Sequence, residues 1–480
     1  MNNKNSFYLT TTLPYVNAKP HIGFAMEIIH ADIIARAKKL QGFEVFFNTG
    51  TDEHGQKIWQ KSEEVGQSTQ EYVDEYALKY KKLQKDLGLI EDIHFVRTSD
   101  DHHKKSAQEF WKLCDKAGDI YKKNYKIKYC VGCELEKTDS ELVDGCCPIH
   151  SSLELEIREE ENYFFRFSNF GQRLIDLYDN NKDFVIPDFR LNEIRALIKR
   201  GLEDFSISRL KEKMPWGVSV PGDDNHVMCV WFDALVNYVS TLGWPEDKET
   251  FDKFWKNGTP VQMAGKDQVR QQSAMWQAML LSAGLPPTRH IVIHGFINYD
   301  GQKMSKSLGN VVLPEEIIEE YGLDALRYFV AREFNQFEDS DISNDKLKLS
   351  YNTGLANGLG NLVSRVMKMA EDHLASPVVV PETEDMQEFF AILNKFEINT
   401  AINYVWSKMS GLDQEIQEKL PFKVIKEDPE RGREMIKDMV LKVYSIALML
   451  EPFMPETADR IKSLVKANKM PKEPLFPRLD

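Results

Sequence analysis

No run of 18 or more apolar residues occurs in the 480-residue sequence, so no membrane-spanning helix is expected. The opening Met1-Asn-Asn-Lys-Asn-Ser6 has no apolar core. That argues against a secretory signal and predicts a cytoplasmic location. Positive charge is in deficit: 61 Lys and Arg face 75 Asp and Glu, a formal charge of −14. That balance argues against binding nucleic acid through the bulk surface, although local basic patches can bind what the net charge repels. Internal repeats and low-complexity segments are missing. Cysteine is scarce, with six in all, yet Cys130, Cys133, Cys146 and Cys147 fall within eighteen residues. Without a signal peptide, such clustering points to metal ligands rather than disulfides.

What remains is ordinary soluble-globular material, 42% hydrophobic and 28% charged with a mean hydropathy of −0.44. The length predicts two to four domains. Ser6 to Thr12 reads as a buried strand, Gly23 to Leu40 as a helix with apolar Met26, Ile29, Ile33 and Ala37 at helical spacing, and Glu44 to Asn48 as a second strand. Strand–helix–strand order opens a parallel α/β sheet. Helical patterns cover Thr69–Leu87 and His103–Ala117. Near Asp119 the character changes to short aromatic runs around the cysteines, an inserted small domain ending near Pro215. Parallel-sheet patterns then resume, with strands at Val227–Val230, Val261–Ala264 and His290–His294 and helices at Trp231–Leu242 and Val269–Ala283. From about Leu349 helices dominate: Leu355–His373, Met386–Leu412 and Arg431–Leu450, joined by loops at Pro377–Pro381 and Pro421–Pro429. The expected architecture is a parallel α/β domain (residues 1–118 and 215–295) split by an insertion with a metal knuckle (119–214). A segment 296–349 follows, then an all-α bundle (350–480).

Three motifs carry chemistry. His21-Ile-Gly23 stands where a strand, a loop and a helix N-terminus meet, a place suited to phosphate. Gly23 allows close approach and His21 can donate a hydrogen bond. Alone, such a motif is more often a turn. Lys303-Met-Ser305-Lys306-Ser307, in a Gly-flanked loop, sets two lysines three apart with hydroxyls beside them, a clamp for polyphosphate. Cys130-Val-Gly-Cys133 and Cys147-Pro-Ile-His150 form two pairs of metal-ligand spacing, four ligands for a tetrahedral, structural Zn²⁺. Cys146 is out of phase with them.

The first two motifs, in this order on a split sheet, resemble the class I aminoacyl-tRNA synthetases. Thr12-Leu-Pro-Tyr15, Gly50-Thr-Asp-Glu-His-Gly55, Val230-Trp-Phe-Asp-Ala234 and Gly265-Lys-Asp267 resemble the methionine-specific branch, over Tyr8 to about Ile461. The resemblance implies that methionine and ATP give methionyl-adenylate and pyrophosphate, and that the methionyl group passes to the 3′ end of tRNA(Met), initiator included. It also implies His21, Gly23, Lys303 and Lys306 as catalytic residues, and ATP contacts from these with Gly265, Asp267 and Ser305, alongside Mg²⁺. The resemblance makes the split α/β domain a Rossmann-type catalytic domain, segment 296–349 a stem-contact region and the bundle an anticodon-binding domain. Asp52 is expected to meet the substrate ammonium, with a helix cap as its other reading. Leu13, Tyr15, Trp231, Ala234, Leu235, Tyr238, Gln268, Gln272 and Trp276 are expected to surround the methionine side chain, although each aromatic alone reads as core. Asn361, Arg365 and Phe422 are expected at the anticodon. Lys122, Lys123, Lys126 and Lys128 either meet the acceptor end or form a solvated face. The chain departs from the family pattern at Phe24, where a histidine is usual, and at Gln268 and Gln272, where an apolar residue and a histidine are frequent. It lacks the C-terminal extension that dimerises some relatives, so a monomer is expected. A non-catalytic synthetase-like tRNA binder is the rival reading.

Overall fold

A computed structural model describes residues 5–16, 19–137, 141–304, 310–381 and 385–480, which divide into two compact units. The first unit comprises residues up to Pro20, Gly42–Lys85 and Leu89–His294; the second comprises His21–Gln41, Asp86–Gly88 and residues from Gly295 onward.

A six-stranded parallel sheet organises the first unit: β1 (Ser6–Thr10), β2 (Glu44–Thr51), β3 (Ile93–Arg97), β4 (Val185–Ile186), β5 (Thr259–Gly265) and β6 (His290–His294), in the order β3-β2-β1-β5-β6-β4. Phe7, Tyr8 and Leu9 are all buried, the continuous apolar run of a strand covered on both faces. β1 pairs with β2 (Phe7 opposite Val45) and with β5 (Leu9 opposite Val261). Between β1 and β5 the chain order reverses, and in open α/β sheets ligands bind in the crevice beyond the strand C-termini at that point. Residues just after β1, β2 and β5 therefore define the place to look.

The sheet corrects one expectation. The segment around Val227 is not a parallel strand. Asp223–Met228 pairs antiparallel with Ser219–Val220 and Ser208–Leu210 in a separate small sheet. Gly222, at φ +79°, turns the chain straight back and forces antiparallel pairing. The sixth parallel strand is instead Val185–Ile186, which lies within the span read as insertion. That span otherwise builds a four-stranded sheet around the long pair Ile120–Cys130 and Glu156–Phe165.

The second unit contains α1 (Ile22–Leu40), a three-stranded sheet (Ile297–Tyr299, Gln302–Lys303, Ser340–Ile342) and the helices that follow. Met386–Leu412 is two helices rather than one, Gln387–Leu393 and Ile398–Lys419, broken where Phe396 takes φ +62°. The Gln336 side chain accepts the Ile398 N–H at 2.9 Å, so a remote residue stabilises the break. The stretch read as a loop between Pro421 and Pro429 is the helix Pro421–Glu427, with each proline at the first turn of a helix. There its missing N–H costs nothing and its fixed φ fits.

A buried ion pair holds this unit together. Arg327 and Asp32 of α1 are both fully buried and 2.6 Å apart, and Arg327 also donates to the carbonyls of Leu87, Pro452 and Phe453. Removing Arg327 would leave Asp32 with Arg36 alone, at 2.7 Å, and would take the donor from three backbone carbonyls at once. Arg327→Met is therefore expected to destabilise the protein by about 3–5 kcal/mol, seen as urea unfolding at lower denaturant. An unshifted transition contradicts the assignment.

Candidate functional site

The crevice of the parallel sheet holds a cavity of about 110 Å³ lined by Thr12, Leu13, Pro14, Tyr15, Asp52, Trp231, Ala234, Leu235, Asn237, Tyr238, Gln268 and Gln272. Backbone pairing after β1 and β2 builds its charged end. Tyr15 bridges to Asp52, and the Asp52 N–H donates to the Pro14 carbonyl at 3.0 Å. Asp52 is 4% exposed, and among the described residues no basic side chain pairs with it. Burial, with the Asp233 carboxylate close by, pushes the Asp52 carboxyl well above its ordinary range. Asp233 behaves oppositely. Burial alone would raise it, but His54 at 2.6 Å and His103 at 2.9 Å outweigh that and hold it at about 2. One carboxylate is thus clamped ionised while its neighbour favours a proton until a cation arrives. Divergent pairs of this kind mark chemical sites. The Tyr15 hydroxyl is buried with no hydrogen-bond partner among the described residues, a group that calls for an explanation.

The apolar end is set by Trp231, Ala234, Leu235 and Tyr238. The residues expected to surround a methionine side chain all line this cavity except Trp276, which is fully buried with its ring centroid 5.9 Å from that of Tyr238. Thr12, Pro14 and Asn237 line it too and were not singled out from the sequence. Thr12 and Pro14 sit inside the motif already quoted, and alternation in that loop could have found them. The Trp231 indole N–H donates to the Cys133 carbonyl at 3.3 Å. Gly265 ends β5, buried, and Asp267 is exposed in the turn beyond it.

The cysteine cluster lies in the same unit. Sγ of Cys130, Cys133 and Cys147 and a ring nitrogen of His150 all lie within 4.8 Å of one another. Zn–S bonds of about 2.3 Å in a tetrahedron require ligands about 3.8 Å apart, so the four donors fit such an ion. A Cβ at residue 132 would sit 2.6 Å from the His150 ring, which is why glycine stands there. Burial opposes the Cys147 thiolate, but the N–H groups of His150 and Ile149 and the adjacent thiols overcome it and lower its pKa. Cys146 is not in the cluster. Of the preceding lysines, Lys122 pairs with Asp223 at 2.7 Å and stands over the Tyr163 ring.

In the second unit, His21 caps α1 with its own ring: Nδ1 accepts the Gly23 N–H at 3.1 Å. In a neutral imidazole that leaves the proton on Nε2. A Cβ on Gly23 would lie 2.9 Å from the His21 ring, so the glycine is needed for the ring to fold back, beyond any need for ligand approach. The Ile22 N–H bonds the Val312 carbonyl at 3.0 Å. Lys303 is exposed on the short strand Gln302–Lys303. Ser305 and Lys306 lie outside the described residues. Asn361 and Arg365 stand one turn apart on the helix Asn361–His373, and Arg365 pairs with Asp413 at 2.7 Å. Phe422 is 44% exposed. A cavity of about 420 Å³ is lined by Asp413, the Arg365 partner, with Arg332, Asn357, Leu362 and Trp406 among others, residues the sequence did not flag.

Residues 7–154 and 140–367 match the family model described as tRNA synthetases class I (M). The chain belongs to the class I aminoacyl-tRNA synthetases. It is 37% identical to a methionine–tRNA ligase of Thermotoga maritima over 97% of its length and 76% of the relative's. A methionine–tRNA ligase of Caldanaerobacter subterraneus subsp. tengcongensis is 39% identical over 95% of this chain and 73% of its own. The structure superposes on Mycobacterium tuberculosis methionyl-tRNA synthetase in complex with methionyl-adenylate with a TM-score of 0.91, at 33% identity, covering 99% of this chain and 100% of that one. Within the class, it is a member of the methionine–tRNA ligase family. Among the described residues no helix is long and apolar enough to cross a membrane.

Proposed function

We propose that the protein activates methionine with ATP and transfers it to tRNA(Met), initiator included, as a cytoplasmic monomer. The observation that carries this is Asp52, a buried carboxyl that no basic side chain among the described residues pairs with, at one end of a cavity whose other end is aromatic and aliphatic. A free amino acid supplies the missing ammonium there and offers its side chain to Tyr238, Leu235 and Trp231. An engineered cavity of about 150 Å³ holds a benzene, so 110 Å³ suits a short unbranched side chain.

The methionine carboxylate, already ionised at neutral pH, attacks the α-phosphorus of ATP. The α–β bridging bond breaks and pyrophosphate leaves. A ribose hydroxyl of the tRNA 3′-adenosine then attacks the carbonyl carbon and AMP leaves. The protein's share is positioning and charge stabilisation. His21 donates from Nε2 to phosphate at the α1 N-terminus with Gly23. Gly265 and Asp267 receive the ribose, and Lys303, Ser305 and Lys306 hold the departing pyrophosphate, with Mg²⁺ accompanying ATP. Zn²⁺ in Cys130, Cys133, Cys147 and His150 is structural, because four protein ligands leave no open position. Asn361, Arg365 and Phe422 read the anticodon.

ATP–pyrophosphate exchange with each of the twenty amino acids tests the reading. Methionine-dependent exchange is expected despite Phe24, Gln268 and Gln272. Exchange with another amino acid overturns the pocket assignment, and none at all from metal-loaded protein favours a non-catalytic tRNA binder.

A further inference from the structure

Behind the cavity, one backbone group sets the direction of a run of side-chain amides. The Thr288 N–H donates to Gln277 Oε1 at 3.0 Å. A backbone N–H can only donate, so Gln277 Nε2 is the group that donates to Thr288 Oγ1 at 3.1 Å. That hydroxyl, accepting there, donates to Gln262 Oε1 at 2.7 Å. Gln262 Nε2 then donates to Gln272 Oε1 at 3.3 Å. The Gln272 Nε2 hydrogens go to Gln268 Oε1 at 3.2 Å and to the Tyr238 oxygen at 2.8 Å. Gln262, Gln272, Gln277 and Thr288 are each at most 3% exposed, so water does not reverse this order. Both ends of the Gln272 amide are thus used within the protein. Gln268 differs. Its oxygen is taken by Gln272, and among the described residues nothing accepts from its Nε2. It is half-buried and lines the cavity. Its bond to Gln272, which in turn touches Tyr238, puts it at the apolar end.

We infer that Gln268 makes methionine sulfoxide a second substrate of this pocket: Gln268 Nε2 donates to the sulfoxide oxygen, and the oxidised amino acid is activated alongside methionine. The inference rests on the cavity being the methionine site. A thioether sulfur is a weak acceptor, so methionine leaves the Gln268 N–H poorly satisfied. Oxidation makes the side chain polar and chiral at sulfur, and adds one strong acceptor to a chain of unchanged length. An apolar wall would take that oxygen out of water and return no hydrogen bond, which is the costly case. Gln268 returns one. The reaction is otherwise that of methionine: the carboxylate attacks the α-phosphorus, the α–β bridging bond breaks and pyrophosphate leaves, with no change of oxidation state at sulfur. A single donor fixed on one wall meets the oxygen of one sulfoxide epimer better than that of the other.

ATP–pyrophosphate exchange with methionine and with each separated epimer of L-methionine sulfoxide tests this, the adenylate being identified by mass so that traces of methionine do not count. Wild-type protein is expected to form the sulfoxide adenylate, with one epimer preferred. The readout in variants is the ratio of kcat/KM for that epimer to kcat/KM for methionine. Gln268→Glu keeps an acceptor for the Gln272 N–H and removes the donor. Gln268→Met keeps the length and removes both. In each the ratio is expected to fall by about three- to tenfold, the kinetic equivalent of one hydrogen bond. A Gln268 that only supported Gln272 would lower both substrates together in Gln268→Met and leave the ratio unchanged in both variants, and that pattern overturns the inference. Wild-type protein that is active on methionine but forms no sulfoxide adenylate, or that uses the two epimers equally, also overturns it. Wild-type protein that activates neither amino acid overturns the pocket reading beneath it.

Discussion

Asp52→Asn should lower kcat/KM for methionine by about 30-fold to several thousand-fold while the protein folds at least as stably as before. Both halves follow from one fact. In the empty pocket Asp52 is a buried carboxyl beside an ionised Asp233, and its pKa lies well above the ordinary value. A folded-state pKa above the unfolded value of about 3.9 means that the folded protein binds the proton more tightly. Stability is then full below the unfolded pKa and is lost as pH rises through the folded one. Asparagine has no such loss, so its melting temperature should match or exceed the wild type's at neutral pH. The substrate ammonium reverses the preference for the proton. Binding to the protonated form releases one proton, so methionine affinity should rise with pH up to the free-protein pKa of Asp52 and level off above it. Asp233, held at about 2, does not titrate in that window. Isothermal titration in buffers of different ionisation enthalpy reads the proton directly. An Asp52→Asn protein with an unchanged methionine KM would remove Asp52 from the site.

How far the sequence reached depended on whether the deciding interaction was local. β1 announced itself because burial on both faces leaves an unbroken apolar run, and α1 because its apolar residues recur at helical spacing. That Cys130, Cys133, Cys147 and His150 converge was legible because ligand spacing is a property of short peptides. What escaped was decided elsewhere in the chain. Nothing near Phe396 marks a helix break, since Gln336, which accepts the Ile398 N–H, lies 62 residues earlier. Val185–Ile186 is too short to show a period, and only its neighbour β6 makes it a strand. Prolines at 421 and 429 read as loop because a proline at the start of a helix and one in a loop look alike without the flanking dihedrals. At the site, resemblance supplied Gln268 and Gln272 as departures, but not why they are compatible with the fold. Gln262, Gln277 and Thr288 are ordinary polar residues in sequence, and the hydrogen bonds that tie them to one another and to Gln272 span up to 26 residues of chain.

Stripping the metal should raise the methionine KM at least about tenfold, the range seen when the groups that orient a site are lost, with a smaller change for ATP. The reason lies in what the knuckle touches. Cys133 offers its carbonyl to Trp231, a wall of the cavity. The next residue, Glu134, has φ +51°, accepts the Lys57 N–H at 3.1 Å and also bonds the Tyr129 hydroxyl. It thereby satisfies the N-terminus of the helix Gln56–Val65, four residues beyond Asp52. Both the aromatic wall and the loop after Asp52 thus lean on backbone at and next to Cys133, one of the four residues that would hold the metal. Structural sites of this kind release apparent binding energies of about 10–16 kcal/mol on folding, so the knuckle without its ion should lose its shape while the parallel sheet persists. Metal analysis gives the first check: about one ion per chain in wild type and in Cys146→Ser, and almost none in Cys147→Ser. The second is methionine-induced tryptophan fluorescence, which should disappear in Cys147→Ser and on chelation, with far-ultraviolet circular dichroism nearly unchanged. A metal-free protein that bound methionine normally would mean that the Trp231–Cys133 contact does not shape the pocket.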